Sequence, residues 1–177
     1  MQSASTIVRL LKKNGIPCNI FSGTGTGTYD IDVQDTLITE IQPGSYTVMD
    51  VEYLEIESAS STQFNTFGNA MTLLTTVISA NRREHVTVDA GTKGIYFDKN
   101  TKPKIISHPG LHYDWNGFGD EHGKVTANHG ALPPEETVLE LIVPHCDPTI
   151  NLYDNFFIIE QDVVVDVWPI YLRGKSQ

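Results

Sequence analysis

His145 and Asp147 stand two residues apart in Pro144-His145-Cys146-Asp147-Pro148-Thr149, which follows the apolar run 138–143. In extended backbone, side chains alternate between faces, so this spacing predicts His145 and Asp147 on one face and Cys146 on the other. An imidazole and a carboxylate so placed form a two-ligand site for Mn2+, Mg2+ or Zn2+, with positions left open for water and substrate. Without further context the same residues also make a hydrogen-bonded turn.

Three other stretches carry chemistry. Gly23-Thr24-Gly25-Thr26-Gly27-Thr28-Tyr29 could cradle a phosphate, because glycines let main-chain N–H groups approach an anion and threonine hydroxyls add donors. It lacks the Gly-Lys-Ser/Thr ending of a nucleoside-triphosphate loop, and no helix pattern follows it, so it fails the dinucleotide fingerprint as well. A plain flexible connection is the alternative. Asp120-Glu121-His122-Gly123 places an imidazole beside carboxylates, where His122 could act as a tuned acid or base, or merely help a polar loop hold its shape. Asp89-Ala90-Gly91-Thr92-Lys93 offers an amine at Lys93 that is equally an exposed turn lysine.

The elements that must position these groups begin with a helix. Residues 3–14 put Ile7, Val8, Leu10 and Leu11 on one helical face, with Gly15 as a stop. Residues 16–22 read as a buried strand that takes Cys18 into the core. Strand segments then come at 36–41, 46–53, 72–80, 84–89, 124–128, 137–143 and 156–167, with alternation clearest in 72–78 and 163–168. The expected class is mainly β, preceded by one helix and one strand of an α/β layer. That first strand has no expected parallel neighbour in the chain, so its backbone groups would need partners from a preceding segment or a second copy. Lys99 and its neighbours through Lys104 form a small basic loop, most simply a solvated turn.

Bulk properties narrow the function classes. The 177 residues are 40% hydrophobic, enough for one core. Twelve Lys and Arg against 22 Asp and Glu give a net charge of −10, which opposes binding to nucleic-acid phosphates. No apolar run approaches the roughly 20 residues of a membrane span. Two distant cysteines, Cys18 and Cys146, do not make a disulfide framework, and a cytoplasmic setting is expected.

In order and spacing these motifs resemble the C-terminal part of the D-threonine aldolase and D-serine dehydratase family, relatives of alanine racemase. The resemblance is carried by the Gly23–Tyr29 motif, Gln42-Pro43-Gly44-Ser45-Tyr46-Thr47-Val48-Met49-Asp50, Asp89-Ala90-Gly91-Thr92-Lys93, Glu121-His122-Gly123 and Trp168-Pro169-Ile170. Its most specific part is Pro144-His145-Cys146-Asp147-Pro148-Thr149-Ile150-Asn151-Leu152-Tyr153-Asp154.

The resemblance implies two units. Residues 1–34 would be the last helix and strand of a (β/α)8 barrel, with Gly23, Thr24, Gly25 and Thr26 holding the phosphate of pyridoxal 5′-phosphate. Residues 35–177 would be an alanine racemase C-terminal-like β domain in which His145 and Asp147 bind Mn2+ or Mg2+, or Zn2+ in a dehydratase-like form. His122 would be a catalytic acid or base. The implied reaction is retro-aldol cleavage of D-threonine or another small D-β-hydroxy amino acid to glycine and an aldehyde, by an enzyme of amino acid metabolism that works as a homodimer. Asp147 at the third position resembles the aldolases; the dehydratases resemble His-x-Cys. No lysine here matches the family's Schiff-base lysine, so the chain alone is expected to be inactive without an N-terminal barrel from the same parent chain or a separate polypeptide. The alternatives are a D-serine dehydratase-like lyase domain, a non-catalytic β module that binds a partner chain, and a stand-alone metal hydrolase. The last is short of ligands, since catalytic zinc usually has three from protein.

Overall fold

Helix α1, Gln2–Lys13, forms where the 3.6-residue pattern predicts. It ends at Gly15, whose φ of +72° suits glycine and whose N–H donates to Lys12 O at 3.1 Å. Val8 is buried, and the Ser5 hydroxyl bonds the Asp35 carboxylate, while Ile7 and Leu10 face outward at 58% and 60% exposure. The fold is taken from a computed structural model that describes residues 2–56, 64–97, 100–114 and 119–175. Trp115 and Lys99 lie outside the described residues.

The buried strand expected at 16–22 shrinks to β1, Ser22–Gly23, which pairs in parallel with β2, Glu40–Ile41. The strand therefore does have a parallel neighbour in its own chain, contrary to expectation. So short a ladder cannot organise a layer over the residues before it: Ile16 is 50% and Ile20 68% exposed, and Cys18 is only half-buried. Helix α2, Tyr29–Asp32, comes directly after the glycine/threonine loop, where no helix was expected. Residues 46–53 are not a strand either. They form a 3-10 turn, Ser45–Thr47, and helix α3, Val51–Leu54, capped by Asp50.

The remaining strands meet the expectation of a mainly β chain. They are β3 (Leu73–Ser79), β4 (Val86–Val88), β5 (Lys104–Ile105), β6 (Leu111–Asp114), β7 (Gly123–Ala127) and β8 (Val138–Ile142). They make one antiparallel sheet in the order β5-β8-β3-β4-β7-β6. Its two edge strands approach each other, so the sheet is a nearly closed six-stranded barrel. Alternation explains the core: Val86 and Val88, Tyr113, Val125, and Leu139 and Leu141 all point inward with Val77 and Ile95. Each fully buried aliphatic side chain contributes about 1.5–3 kcal/mol.

After β8 comes helix α4, Cys146–Ile150, then β9 (Asn155–Glu160) and β10 (Val163–Pro169). Residues 156–167, expected as one strand, are split because Gln161 and Asp162 both adopt positive φ, +49° and +62°. That is the backbone of a two-residue type I′ hairpin turn, whose twist matches the strands it joins. The ribbon is apolar on both faces, with Phe157 64%, Ile159 53%, Val163 61% and Trp168 55% exposed. Since Asn-Gly suits this turn better than Gln-Asp, the Gln161→Asn, Asp162→Gly variant is expected to slow amide exchange across β9 and β10 about fivefold, or about 1 kcal/mol. Unchanged protection would show that the turn does not limit the ribbon's stability. Among the described residues, no helix is long and apolar enough to cross a membrane.

Candidate metal centre

Strand β8 carries the chain out of the barrel core to His145. Its exit is held by α3, whose first residues donate to the strand's continuation: Val51 N to Val143 O at 3.0 Å and Glu52 N to Pro144 O at 3.1 Å. His145 is still extended (φ −140°, ψ 128°) and forms the N-cap of α4, so the extended run expected through Asp147 stops at the imidazole. Asp147 lies in the first turn of α4, and Pro148 is tolerated beside it because first-turn N–H groups lack helical partners. The helix turn still brings the two side chains together: His145 Nε2 lies 3.6 Å from Asp147 Oδ2.

That distance is too long for a hydrogen bond but fits two ligands on one ion with bonds of about 2.1 Å. Both side chains reach solvent, His145 at 27% and Asp147 at 64% exposure. They are also held from behind. Ser45 Oγ donates to Asp147 Oδ2 at 2.9 Å. His145 Nδ1 meets Asp50 Oδ2 at 2.9 Å, and Glu52 Oε2 lies 3.5 Å from the same nitrogen. The rings of Tyr53 and Tyr96 flank the imidazole at 6.3 and 6.2 Å between centroids. Burial holds the Tyr53 phenol above its ordinary range, and the nearby carboxylates add to this, so it is a neutral donor.

Asp50 is the most constrained group at the site. Its side chain is fully buried and accepts from Tyr53 N at 3.0 Å and from Cys146 N at 2.8 Å, with His145 Nδ1 beside the oxygen that takes Cys146 N. One carboxylate thus caps the start of α3 and satisfies the first N–H of α4.

Asp50, His145 and Cys146 also have donor atoms within 4.8 Å of one another, a second grouping that could hold a metal. Its chemistry is poor. The Asp50 oxygens already accept from main-chain N–H groups, and Cys146 is fully buried, with burial and Asp50 beside it pushing its thiol up to about 12. The Nε2 side, facing Asp147 and solvent, is where the donor set fits a hard divalent cation.

The glycine/threonine loop leads back to the same place. Thr24 has a φ of +69°, and its hydroxyl lies 3.1 Å from that of Thr28. A side chain at Gly25 would meet nothing within 4 Å. Among the described residues, no main-chain bond engages the N–H of Gly25, Thr26 or Gly27. The buried Thr26 hydroxyl accepts from Tyr46 N at 3.1 Å, and Tyr46 adjoins Ser45, which holds Asp147. One short segment therefore touches both the loop and the His145–Asp147 pair.

His122 directly precedes β7. Its carbonyl accepts from Gly119 N at 2.9 Å, and among the described residues no hydrogen bond or ion pair joins it to His145. Lys93 pairs with Glu121 at 2.8 Å, with both side chains about two-thirds exposed at 66% and 65%, so it is an exposed turn lysine whose ion pair is worth little. Sequence reasoning gave no role to Asp50, Ser45, Glu52, Tyr53 or Tyr96. The available signal was an aspartate three residues before Tyr53, an N-cap pattern hidden within a β-prone stretch.

A small barrel that presents an imidazole–carboxylate pair at the start of a short helix defines the class of domain. A family model described as a putative serine dehydratase domain matches residues 70–159, just over half of the chain. The D-threonine aldolase of an Arthrobacter species is 37% identical over 175 residues, covering 98% of this chain and 45% of that protein. The 3-hydroxy-D-aspartate aldolase of Paracoccus denitrificans is 33% identical over 171 residues, covering 96% of this chain and 43% of that protein. The crystal structure of D-threonine aldolase from Filomicrobium marinum superposes with a TM-score of 0.84 at 31% identity, covering 96% of this chain and 45% of that one. The chain belongs to the D-threonine aldolase and D-serine dehydratase family and matches its C-terminal portion. It spans less than half the length of these relatives.

Proposed function

We propose that this chain is the metal-binding C-terminal part of a D-β-hydroxy amino acid aldolase dependent on pyridoxal 5′-phosphate and a divalent cation. The observation that carries the reading is the His145 Nε2–Asp147 Oδ2 pair, 3.6 Å apart, open to solvent and fixed from behind by Asp50 and Ser45. In this reading His145 and Asp147 would hold Mn2+ or Mg2+, which would supply Lewis-acid chemistry towards a hydroxyl of the substrate. Pyridoxal 5′-phosphate supplies the electron sink for Cα–Cβ cleavage when bound. Gly23, Thr24, Gly25 and Thr26 take its phosphate, which the room at Gly25 and the uncommitted N–H groups around it support. His122 serves as an acid or base only if the bound substrate reaches the 119–123 loop.

The same reading assigns residues 1–34 to the edge of a (β/α)8 barrel and 35–177 to the β domain, with the rest of the barrel from the same parent chain or a separate one. The exposed Ile7, Leu10, Ile16 and Ile20 in the first unit support it, because apolar side chains of that kind are normally covered. The dehydratase reading draws on the family model's description, but Asp147 supplies an oxygen ligand where a zinc site would favour a thiolate, and the Cys146 thiol is buried and protonated.

Calorimetric titration of Mn2+ into the metal-free chain tests the proposal. One site is expected in the wild type, with no measurable binding in His145→Ala or Asp147→Ala. Binding that survives both substitutions would overturn the ligand assignment, and no binding in the wild type would favour a non-catalytic β module.

A further inference from the structure

Asp50 is neither a ligand nor a surface group, yet more of the site's geometry passes through it than through any other side chain. Its Oδ1 is committed to Tyr53 N and its Oδ2 to Cys146 N, so both oxygens are fixed by main chain before the imidazole is considered. With a main-chain N–H aimed at each oxygen, the carboxylate is arranged as an acceptor on both. The His145 nitrogen 2.9 Å from Oδ2 must therefore carry a proton, and in the neutral ring that leaves Nε2 with its lone pair.

The segment that delivers Asp50 is itself constrained. Met49 has a φ of +61°, in the left-handed region disfavoured for a residue with a side chain, and it is fully buried. Met49 N donates to Ser45 O at 2.7 Å, closing a tight turn between the residue that holds Asp147 and the one that holds His145. Such a backbone costs of order 1–3 kcal/mol and persists only where surrounding contacts enforce it.

We propose that Asp50 is a positioning residue that locks His145 in the Nδ1–H tautomer and aims its unprotonated Nε2 at Asp147, so that the pair is arranged for a cation before one binds. The inference rests on the reading of His145 and Asp147 as ligands for its purpose, though the tautomer can be measured without metal. Glu52 is the competing partner, but its carboxylate is exposed and lies 3.5 Å from Nδ1, outside good hydrogen-bond distance.

Long-range 1H–15N spectra of the labelled, metal-free full chain, recorded where imidazole is neutral, report the tautomer of His145, which is assigned by its loss in His145→Gln. The wild type is expected to show a protonated Nδ1 and an unprotonated Nε2. Asp50→Asn replaces the charged carboxylate by a neutral amide with one oxygen, which cannot serve both Cys146 N and Tyr53 N, so the hold on Nδ1–H is expected to weaken, with a larger share of rings protonated on Nε2 and the Mn2+ dissociation constant raised about 10–100-fold. Glu52→Gln is expected to leave the tautomer unchanged.

A wild-type ring protonated on Nε2 overturns the proposal with no variant needed, as does a switch caused by Glu52→Gln and not by Asp50→Asn. If the tautomer behaves as expected but the wild type takes up no Mn2+, the positioning role stands and the metal reading falls.

Discussion

Asp50→Ala is expected to lower the free energy of unfolding by about 3–5 kcal/mol, read from denaturant melts of the full chain. The substitution removes the acceptor of three donors at once: Tyr53 N, Cys146 N and His145 Nδ1. Loss of the α3 cap alone costs about 1 kcal/mol. Each further donor left buried and unpaired adds about 1–3 kcal/mol. Ser45→Ala removes one bond to an aspartate that is well exposed, so it is expected to cost about 1 kcal/mol or less. A loss below about 1 kcal/mol for Asp50→Ala would mean that water reaches these donors and that α3 and α4 are not joined through the carboxylate.

The contrast between these two variants shows why the site was only half legible in the sequence. His145 and Asp147 are chemically conspicuous, and a histidine beside a carboxylate invites a metal reading in any backbone. The geometry that brings them together was misassigned. Alternation along a strand was expected to align them, whereas a helix start at Cys146 does so. Asp50 carried no comparable signal. Tyr46, Val48, Val51 and Tyr53 favour strands by intrinsic preference, and that outweighs one cap residue in a short window. The segment turns back on itself only because Ala70 N bonds Val48 O and Val51 N bonds Val143 O, contacts with residues distant in sequence.

The barrel was easier to read because its information is local. Leu73–Ser79, Val86–Val88, Gly123–Ala127 and Val138–Ile142 lie inside or beside the expected segments, since one buried face forces alternation. β5 and β6 were missed: Lys104–Ile105 is too short to show a period, and Leu111–Asp114 has only Leu111 and Tyr113 facing inward. Residues 16–22 failed in the opposite way. Their composition suits a buried strand, but most of the residues lie outside the two-residue β1 ladder and remain exposed.

Gly91→Ala is expected to cost about 3 kcal/mol or more and to weaken Mn2+ binding as well, although Gly91 belongs to no ligand set. A Cβ there would fall 2.5 Å from Gly119 O and 2.6 Å from the Asp120 carbonyl carbon, and these are backbone atoms that no rotamer change can move aside. The two loops are tied where they meet, by Thr92 N to Gly119 O at 3.2 Å and Lys93 N to Asp120 O at 2.8 Å. Pushing them apart disturbs the residues just after Gly91. Gly94 O accepts from the Tyr153 hydroxyl at 2.6 Å, Ile95 is fully buried in the barrel core, and Tyr96 N donates to Thr149 Oγ1 at 3.3 Å while its ring flanks His145. Strain at Gly91 therefore reaches both the core and one wall of the candidate metal centre. Gly119→Ala is the control: a Cβ there meets nothing within 4 Å, so it should leave stability and Mn2+ affinity close to wild type. Thermal melts and titrations of the two variants together decide the matter, because equal behaviour would show that the loops are not packed backbone to backbone. Loss of stability in Gly91→Ala with unchanged Mn2+ affinity would confine their role to the barrel.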